Sequence, residues 1–327
     1  MPRVTVLMPV YNASRYLDAS LRSVLTQDYD NFEVVIVNDF STDRSAELVQ
    51  SFSDRRIRLI NNKRNLGVAA SLNKGLATAE GTYILRMDAD DISLPGRIRK
   101  QVEFMEANPE VGISGTWVET IGEQAGYHWK YETNPKKIPS VLFFYCCLAH
   151  PSVIMRKALL DFHGLKYSEV HPHAEDWELW IRSSFCFPIA NLPEILLQYR
   201  INLSSVTRNN STVQDKTIAG IHNENLGRLG IRPEHGQLDL HRAICACNYQ
   251  NGADFFANAY MWLQRVMNAN RSVHLFKEKE FEEVISEKLI DISLYRTALR
   301  FRMWSSLARF AIRRIKLGRV NKRKRLL

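Results

Sequence analysis

Short apolar runs alternate with helically spaced apolar positions from residue 4 to residue 87. Val4 to Val10 reads as a strand, and Tyr16, Leu17, Leu21, Val24 and Leu25 mark one face of a helix between Ser14 and Thr26. Phe32 to Val37 and Ser45 to Phe52 repeat the pair, as do Arg56 to Ile60 and Val68 to Ala79. Gly81 closes the third helix, and Thr82 to Met87 is a fourth strand. This βαβαβαβ rhythm predicts a Rossmann-like, mostly parallel sheet with helices on both faces. Right-handed crossovers then gather the loops that follow the strands on one edge, where open α/β sheets bind ligands.

The pattern is less regular from about Pro95 to Thr207. A helix is expected near Arg97 to Glu106, a strand at Val111 to Val118 and a helix around Asp176 to Ser184. After Val213 the spacing is helical throughout, most clearly at Phe255 to Met267 and Lys277 to Leu289. Arg208-Asn209-Asn210-Ser211 is polar and precedes that change, so the expected organisation is an α/β domain over 1–207 and a helical region over 208–327.

Composition narrows the class. With 45% hydrophobic and 24% charged residues among 327, the chain is of ordinary globular type. No apolar run approaches the roughly 20 residues of a membrane span. The start, Met1-Pro2-Arg3 followed by a strand, lacks the features of a signal peptide, and the five cysteines fit neither a zinc pattern nor a redox motif. A cytoplasmic protein with reduced thiols is expected. The net charge of +9 concentrates after Arg296, where eleven further Lys and Arg residues follow with no acid. Leu299, Met303, Leu307, Phe310 and Ile315 recur among them. A basic amphipathic helix of this kind suits the anionic inner face of a membrane. A packed terminal helix with a charged face and a nucleic-acid contact are the other readings, and nucleic acid is not the expected partner.

The candidate chemistry sits in the loops after the strands. Met87-Asp88-Ala89-Asp90-Asp91 follows the fourth strand, and two carboxylates one residue apart can share a hard divalent cation, Mn²⁺ or Mg²⁺, that keeps positions open for phosphate oxygens. The other loops give Pro9-Val10-Tyr11-Asn12, Asn38-Asp39-Phe40-Ser41-Thr42-Asp43 and Arg64-Asn65-Leu66-Gly67. An aromatic ring can stack on a base and a carboxylate can accept from a base N–H, but each loop alone also reads as turn or capping chemistry. Glycine-rich dinucleotide and Walker phosphate loops are absent.

Taken in order, these motifs resemble the family 2 glycosyltransferases of GT-A fold, which pass a sugar from a nucleotide donor to an acceptor hydroxyl with inversion. The resemblance covers about residues 3 to 207. It implies that Pro9, Tyr11, Asn12, Asp39 and Asn65 surround the nucleotide, with Asp39 accepting from a uracil N–H. Arg86, Asp88 and Ala89 would hold the nucleotide sugar, and Asp90 with Asp88 the metal. Residues 1–94 would form the nucleotide-sugar half and 95–207 the acceptor half. Ala174-Glu175-Asp176-Trp177-Glu178-Leu179-Trp180 looks like the family's acidic motif before a helix, which makes Asp176 the expected base and Glu175 its substitute. His150 and Arg200 are candidate acceptor-side residues by the same resemblance, and Trp177 and Trp180 read either as an apolar acceptor-side platform beneath a sugar or as core packing. The implied donor is a UDP-sugar and the acceptor a glycan or lipid-linked glycan of a cell-surface polysaccharide. A sugar-phosphate nucleotidyltransferase is the alternative, although Tyr11-Asn12-Ala13-Ser14-Arg15 lacks the glycine-rich basic loop such enzymes use. Phe40 stands where the family commonly has a small residue or an acid. The Gln-x-x-Arg-Trp motif of processive synthases is missing, so a single addition is expected.

Overall fold

The computed structural model describes residues 1–202, 211–249 and 253–300. The basic segment after Arg300 and the polar stretch at Arg208 lie outside them. The chain forms two compact units, Met1–Pro135 with Leu148–Asn209, and Lys136–Cys147 with Asn210–Leu327. The segment 136–147, which the sequence grouped with the acceptor half, belongs to the second unit. No helix among the described residues is long and apolar enough to cross a membrane.

The first unit carries a nine-stranded sheet. Strands β1 (Val4–Val10), β2 (Phe32–Asn38), β3 (Ile57–Asn61) and β4 (Tyr83–Arg86) run parallel in the order β3-β2-β1-β4. Apolar residues on both faces bury β2 completely and β1 at all but Pro9, as parallel strands between helices require. Helices α1 (Leu17–Leu25), α2 (Ser45–Gln50) and α3 (Val68–Thr78) are the crossovers. Leu17, Leu21 and Val24 of α1 pack with Val6, Met8, Val34 and Ile36 in the core.

The run of parallel neighbours is interrupted at β4. The next strand in space, β8 (Ile154–Arg156), runs antiparallel to β4, and β6 (Ile113–Gly122) antiparallel to β8. Beyond them β9 (Ile189–Ile201) pairs parallel with β6, short β5 (Ile92–Ser93) antiparallel with β9, and short β7 (His128–Trp129) antiparallel with β6. The sheet is therefore mixed, with most of its paired residues in parallel ladders as the sequence predicted and short antiparallel pairings added. Residues 108–202 lack the regular strand–helix alternation that parallel crossovers need, and helix α4 (Arg97–Ala107) alone bridges β5 to β6.

The second unit is helical, with α5 (Ile138–Leu142), α8 (Ser211–Arg228), α9 (Gln237–Cys245), α10 (Ala253–Val273) and α11 (Glu278–Arg300). Phe143 makes edge contacts at 5.5 to 5.6 Å with His241, Phe276 and Phe281. His241 lies within a directed chain: Trp262 Nε1–H donates to its Nδ1 at 3.1 Å, which leaves the ring proton on Nε2, 3.5 Å from Cys245 Sγ. Burial and then the charge of Lys288 push His241 down to about 3, and burial pushes His222 well below its ordinary value.

These neutral histidines set a pH dependence. Below about 6.5 the unfolded chain binds protons that the folded unit refuses, so stability falls as the pH drops. At pH 5 the loss is about 2 kcal/mol for His241, and His222 acts in the same direction. Hydrogen exchange, corrected for intrinsic rate, will show weaker protection of Gln237–Cys245 and Ala253–Val273 at pH 5 than at pH 7.5. Equal protection would contradict the account.

Candidate active site

In register, Val10 lies beside Asn38 and Asn38 beside Asn61, so the first three loops leave the sheet at one edge. Their polar residues are largely used to tie the loops together. Asn12, at φ +49°, accepts from Thr42 N–H at 2.8 Å and donates its own N–H to Ser41 Oγ at 3.0 Å. Burial opposes ionisation of Asp43, but hydrogen bonds from Ser45 and Ser14 outweigh it and hold the carboxyl at about 2. Tyr11 and Phe40 are 46% and 51% exposed, and Asn65 is exposed, whereas Pro9 is half-buried within β1.

Asp39 is 4% exposed and organises the third loop. Its Oδ1 accepts from Asn62 Nδ2 and Leu66 N–H, and its Oδ2 from Gly67 N–H, each at 2.8 Å. Gly67 takes φ +86°, which a side chain would strain, and it opens α3. An ionised carboxylate has about four acceptor positions, so one is left for a ligand N–H. Asp39→Ala would leave three donors without their acceptor and cost at least about 2 kcal/mol. Both a lower urea midpoint and loss of nucleotide binding are expected; unchanged midpoint would contradict this role.

The acid loop begins at Arg86, which is buried and ion-paired with Asp88. Arg86 Nε has no hydrogen-bond partner among the described residues. One carboxylate oxygen from each of Asp88, Asp90 and Asp91 lies within 4.8 Å of the others. Burial and then Asp88 push Asp90 up to about 6, and Asp91 is pushed well above the usual range by burial, Asp90 and Asp88. Asp91 Oδ2 is buried and, among the described residues, unpartnered. Excess buried negative charge with oxygen donors at this spacing fits a hard divalent cation. Ala89 is buried between the acids.

The end of β9 is fastened over this loop. Arg200 N–H donates to Asp91 Oδ1 and Arg200 Nε to the Asp90 carbonyl, both at 2.7 Å. The Arg200 guanidinium lies 4.4 Å from the centre of the Tyr16 ring, and Asn202 Nδ2 donates to Asp90 Oδ2 at 3.2 Å.

A second acidic group comes from helix α7 (Glu175–Ser184). Glu175 is pushed up to about 7 by burial and then by Asp176, and its Oε2 has no partner among the described residues. Burial also raises Asp176, against a hydrogen bond from Trp177 N–H to its Oδ1 at 2.7 Å and the charge of Arg86. Arg86 acts on His150 and Tyr167 as well, so the acid loop and the Glu175–Asp176 pair share one electrostatic site. His150 Nε2 lies 2.9 Å from Tyr167 OH, and burial keeps the imidazole neutral. Trp177 and Trp180 are 2% and 0% exposed. Trp180 packs edge-on to His150 at 5.9 Å, so the two tryptophans form part of the core beneath the site and offer no open face to an acceptor.

His222, His241 and Cys245 form another group with ligand-like spacing. A metal-bound histidine donates its second ring N–H to an acceptor. His241 Nδ1 instead accepts from Trp262, so this group is a hydrogen-bond chain of the core.

The comparisons decide the family. Residues 5–166 match Glycosyl transferase family 2. An uncharacterized glycosyltransferase of Haemophilus influenzae is 35% identical over 246 residues, 70% of this chain and 76% of that protein. The chain belongs to glycosyltransferase family 2. It is also 31% identical, over 63% of its length and 80% of the relative's, to the Escherichia coli enzyme WfgD, a UDP-Glc:alpha-D-GlcNAc-diphosphoundecaprenol beta-1,3-glucosyltransferase. Among solved structures, S. aureus TarS in complex with UDP-GlcNAc superposes with a TM-score of 0.59 at 18% identity, over 98% of this chain and 90% of that one. The mannosyltransferase PcManGT of Pyrobaculum calidifontis, in complex with GDP-Man and Mn²⁺, gives 0.56 at 15% identity, over 98% and 86%. The fold is GT-A, with a C-terminal helical region, and the chain is a glycosyltransferase; the nucleotidyltransferase alternative is set aside.

Two residues of the candidate site escaped the sequence reading. Asn62, directly after β3, donates to Asp39 and to Ser71 Oγ at 3.0 Å and accepts from Lys74. Its place at a strand end was the available signal. Tyr167, clamped by two hydrogen bonds of 2.9 Å between its backbone and Asn73, had none.

Proposed function

We propose that this family 2 enzyme transfers one sugar from a nucleoside diphosphate donor, a UDP-sugar, to a hydroxyl of a glycan or lipid-linked acceptor, by a single inverting displacement in the assembly of a cell-surface polysaccharide. The observation that carries this reading is the sharing of one site, across Arg86, by the Asp88–Asp90–Asp91 cluster and the Glu175–Asp176 pair. Asp39 accepts from the base, Tyr11 stacks on it, and Pro9, Asn12 and Asn65 shape the pocket. Arg86 and Ala89 line the donor diphosphate and ribose. A divalent cation, Mn²⁺ or Mg²⁺, held by Asp90 and Asp88 would supply positive charge to the leaving diphosphate. Asp176 takes the acceptor proton as the hydroxyl attacks; no covalent nucleophile is required. His150 and Arg200 border the acceptor side.

Residues 1–94 serve the donor and the remainder of the first unit the acceptor. The basic segment after Arg296 brings the enzyme to an anionic membrane surface at its inner face. The UDP-Glc and diphosphoundecaprenol chemistry named for WfgD and the UDP-GlcNAc complex of TarS support the donor and acceptor classes.

The test is incubation with Mn²⁺, a panel of UDP-sugars and GDP-mannose, and polyprenyl-diphosphate-linked acceptors. One added sugar residue, β-linked from an α-linked donor, is expected. Serial addition or an α-linked product would overturn the reading.

A further inference from the structure

Arg97 is 0% exposed at the start of α4, a placement arginine takes only when its donors are paired. Its Nη2 donates to the carbonyl oxygens of Arg86 and Pro151 at 2.8 and 2.7 Å, and its Nε to Gln101 Oε1 at 2.9 Å. Nη1 faces Met87 Sδ at 3.2 Å. Gln101, one turn further along the same face, donates to the Ser152 carbonyl at 2.9 Å.

The reason these carbonyls need a side-chain donor lies in the ladder. Leu85 pairs with Ile154, so the next pair is Arg86 with Val153. A hydrogen-bonded antiparallel pair exchanges two bonds. Here Arg86 N–H donates to the Val153 carbonyl at 2.9 Å, but Val153 N–H turns to the His150 carbonyl at 3.4 Å, within the turn His150–Ser152. The Arg86 carbonyl thereby loses its ladder donor at the point where the two chains part. One leads into Asp88–Asp91 and the other into the turn that carries His150. Arg97 spans the fork.

We propose that Arg97 is a positioning residue that locks the acid loop to the His150 turn and so sets the donor side of the site against the floor formed by His150 and Tyr167. This rests on the transferase reading above. A lysine keeps the charge but loses the planar fork that meets two carbonyls and Gln101 together. Small displacements of reacting groups cost about 10²-fold in rate.

The test uses the full chain with Arg97→Lys and Gln101→Leu, reading kcat and donor KM below each variant's melting temperature. Mn²⁺ affinity of the protein alone is read by electron paramagnetic resonance. Arg97→Lys is expected to lower kcat about 10²-fold and weaken Mn²⁺ binding, and Gln101→Leu to do the same by about 10-fold. If Arg97→Lys fails to fold, Gln101→Leu carries the test. Variants that melt lower yet keep the wild-type kcat and Mn²⁺ affinity would reduce Arg97 to packing and overturn the proposal. A wild-type protein with neither Mn²⁺ binding nor sugar transfer would overturn the metal-assisted transfer proposed above and this proposal with it.

Discussion

Replacing Asp176 with asparagine is expected to lower kcat by about 10²–10⁴-fold, the usual contribution of a positioned base. Asparagine keeps the shape and can still accept from Trp177 N–H, so folding and nucleotide binding should stay at wild-type levels. Glu175→Gln separates the two neighbours. Its effect should be smaller, because Asp176 is the expected base and Glu175 only its substitute. A small loss at Asp176 with a large loss at Glu175 would reverse the assignment. The pH profile carries the same information. The base acts when ionised, so the rate must rise with pH as the pair loses its proton. Burial moves that rise from the ordinary carboxylate range near 4 toward neutrality, since Glu175 is pushed up to about 7.

Asp90→Asn should abolish Mn²⁺-dependent transfer by about 10³-fold or more, the scale of the several kcal/mol that a bound cation contributes. The melting temperature without metal should not fall. Asp90 lies beside Asp88 and Asp91 with few donors of its own, and removing one of three clustered charges relieves repulsion. Mn²⁺ affinity, measured on the protein alone, should weaken in parallel. Wild-type turnover in this variant would sink the metal assignment.

The parallel half of the sheet was legible because fully apolar strands and one-sided helices alternate from Val4 to Met87. The mixed half was not. Which strand pairs with β4 depends on a turn at His150–Ser152 and on register, and neither leaves a periodic trace. The acidic residues were legible as a cluster after a strand, and Glu175–Asp176 through family resemblance. Trp177 and Trp180 left two readings open, platform or core, since a helix face in sequence does not say which side the core lies on; both are buried. Tyr167 and Arg97 were hidden because their partners are backbone atoms and side chains far away in the chain. Asp39 was expected to serve a ligand; its three internal hydrogen bonds show that the same carboxylate also builds the loop beside it.

Thermal unfolding of the full chain with Mn²⁺ and, in turn, UDP, GDP, CDP and ADP tests the central claim most directly. A ligand that binds the native state alone raises the melting temperature by mass action. The account predicts a rise with UDP that needs Mn²⁺ and disappears in Asp90→Asn. No metal-dependent rise with any of the four nucleotides would contradict it.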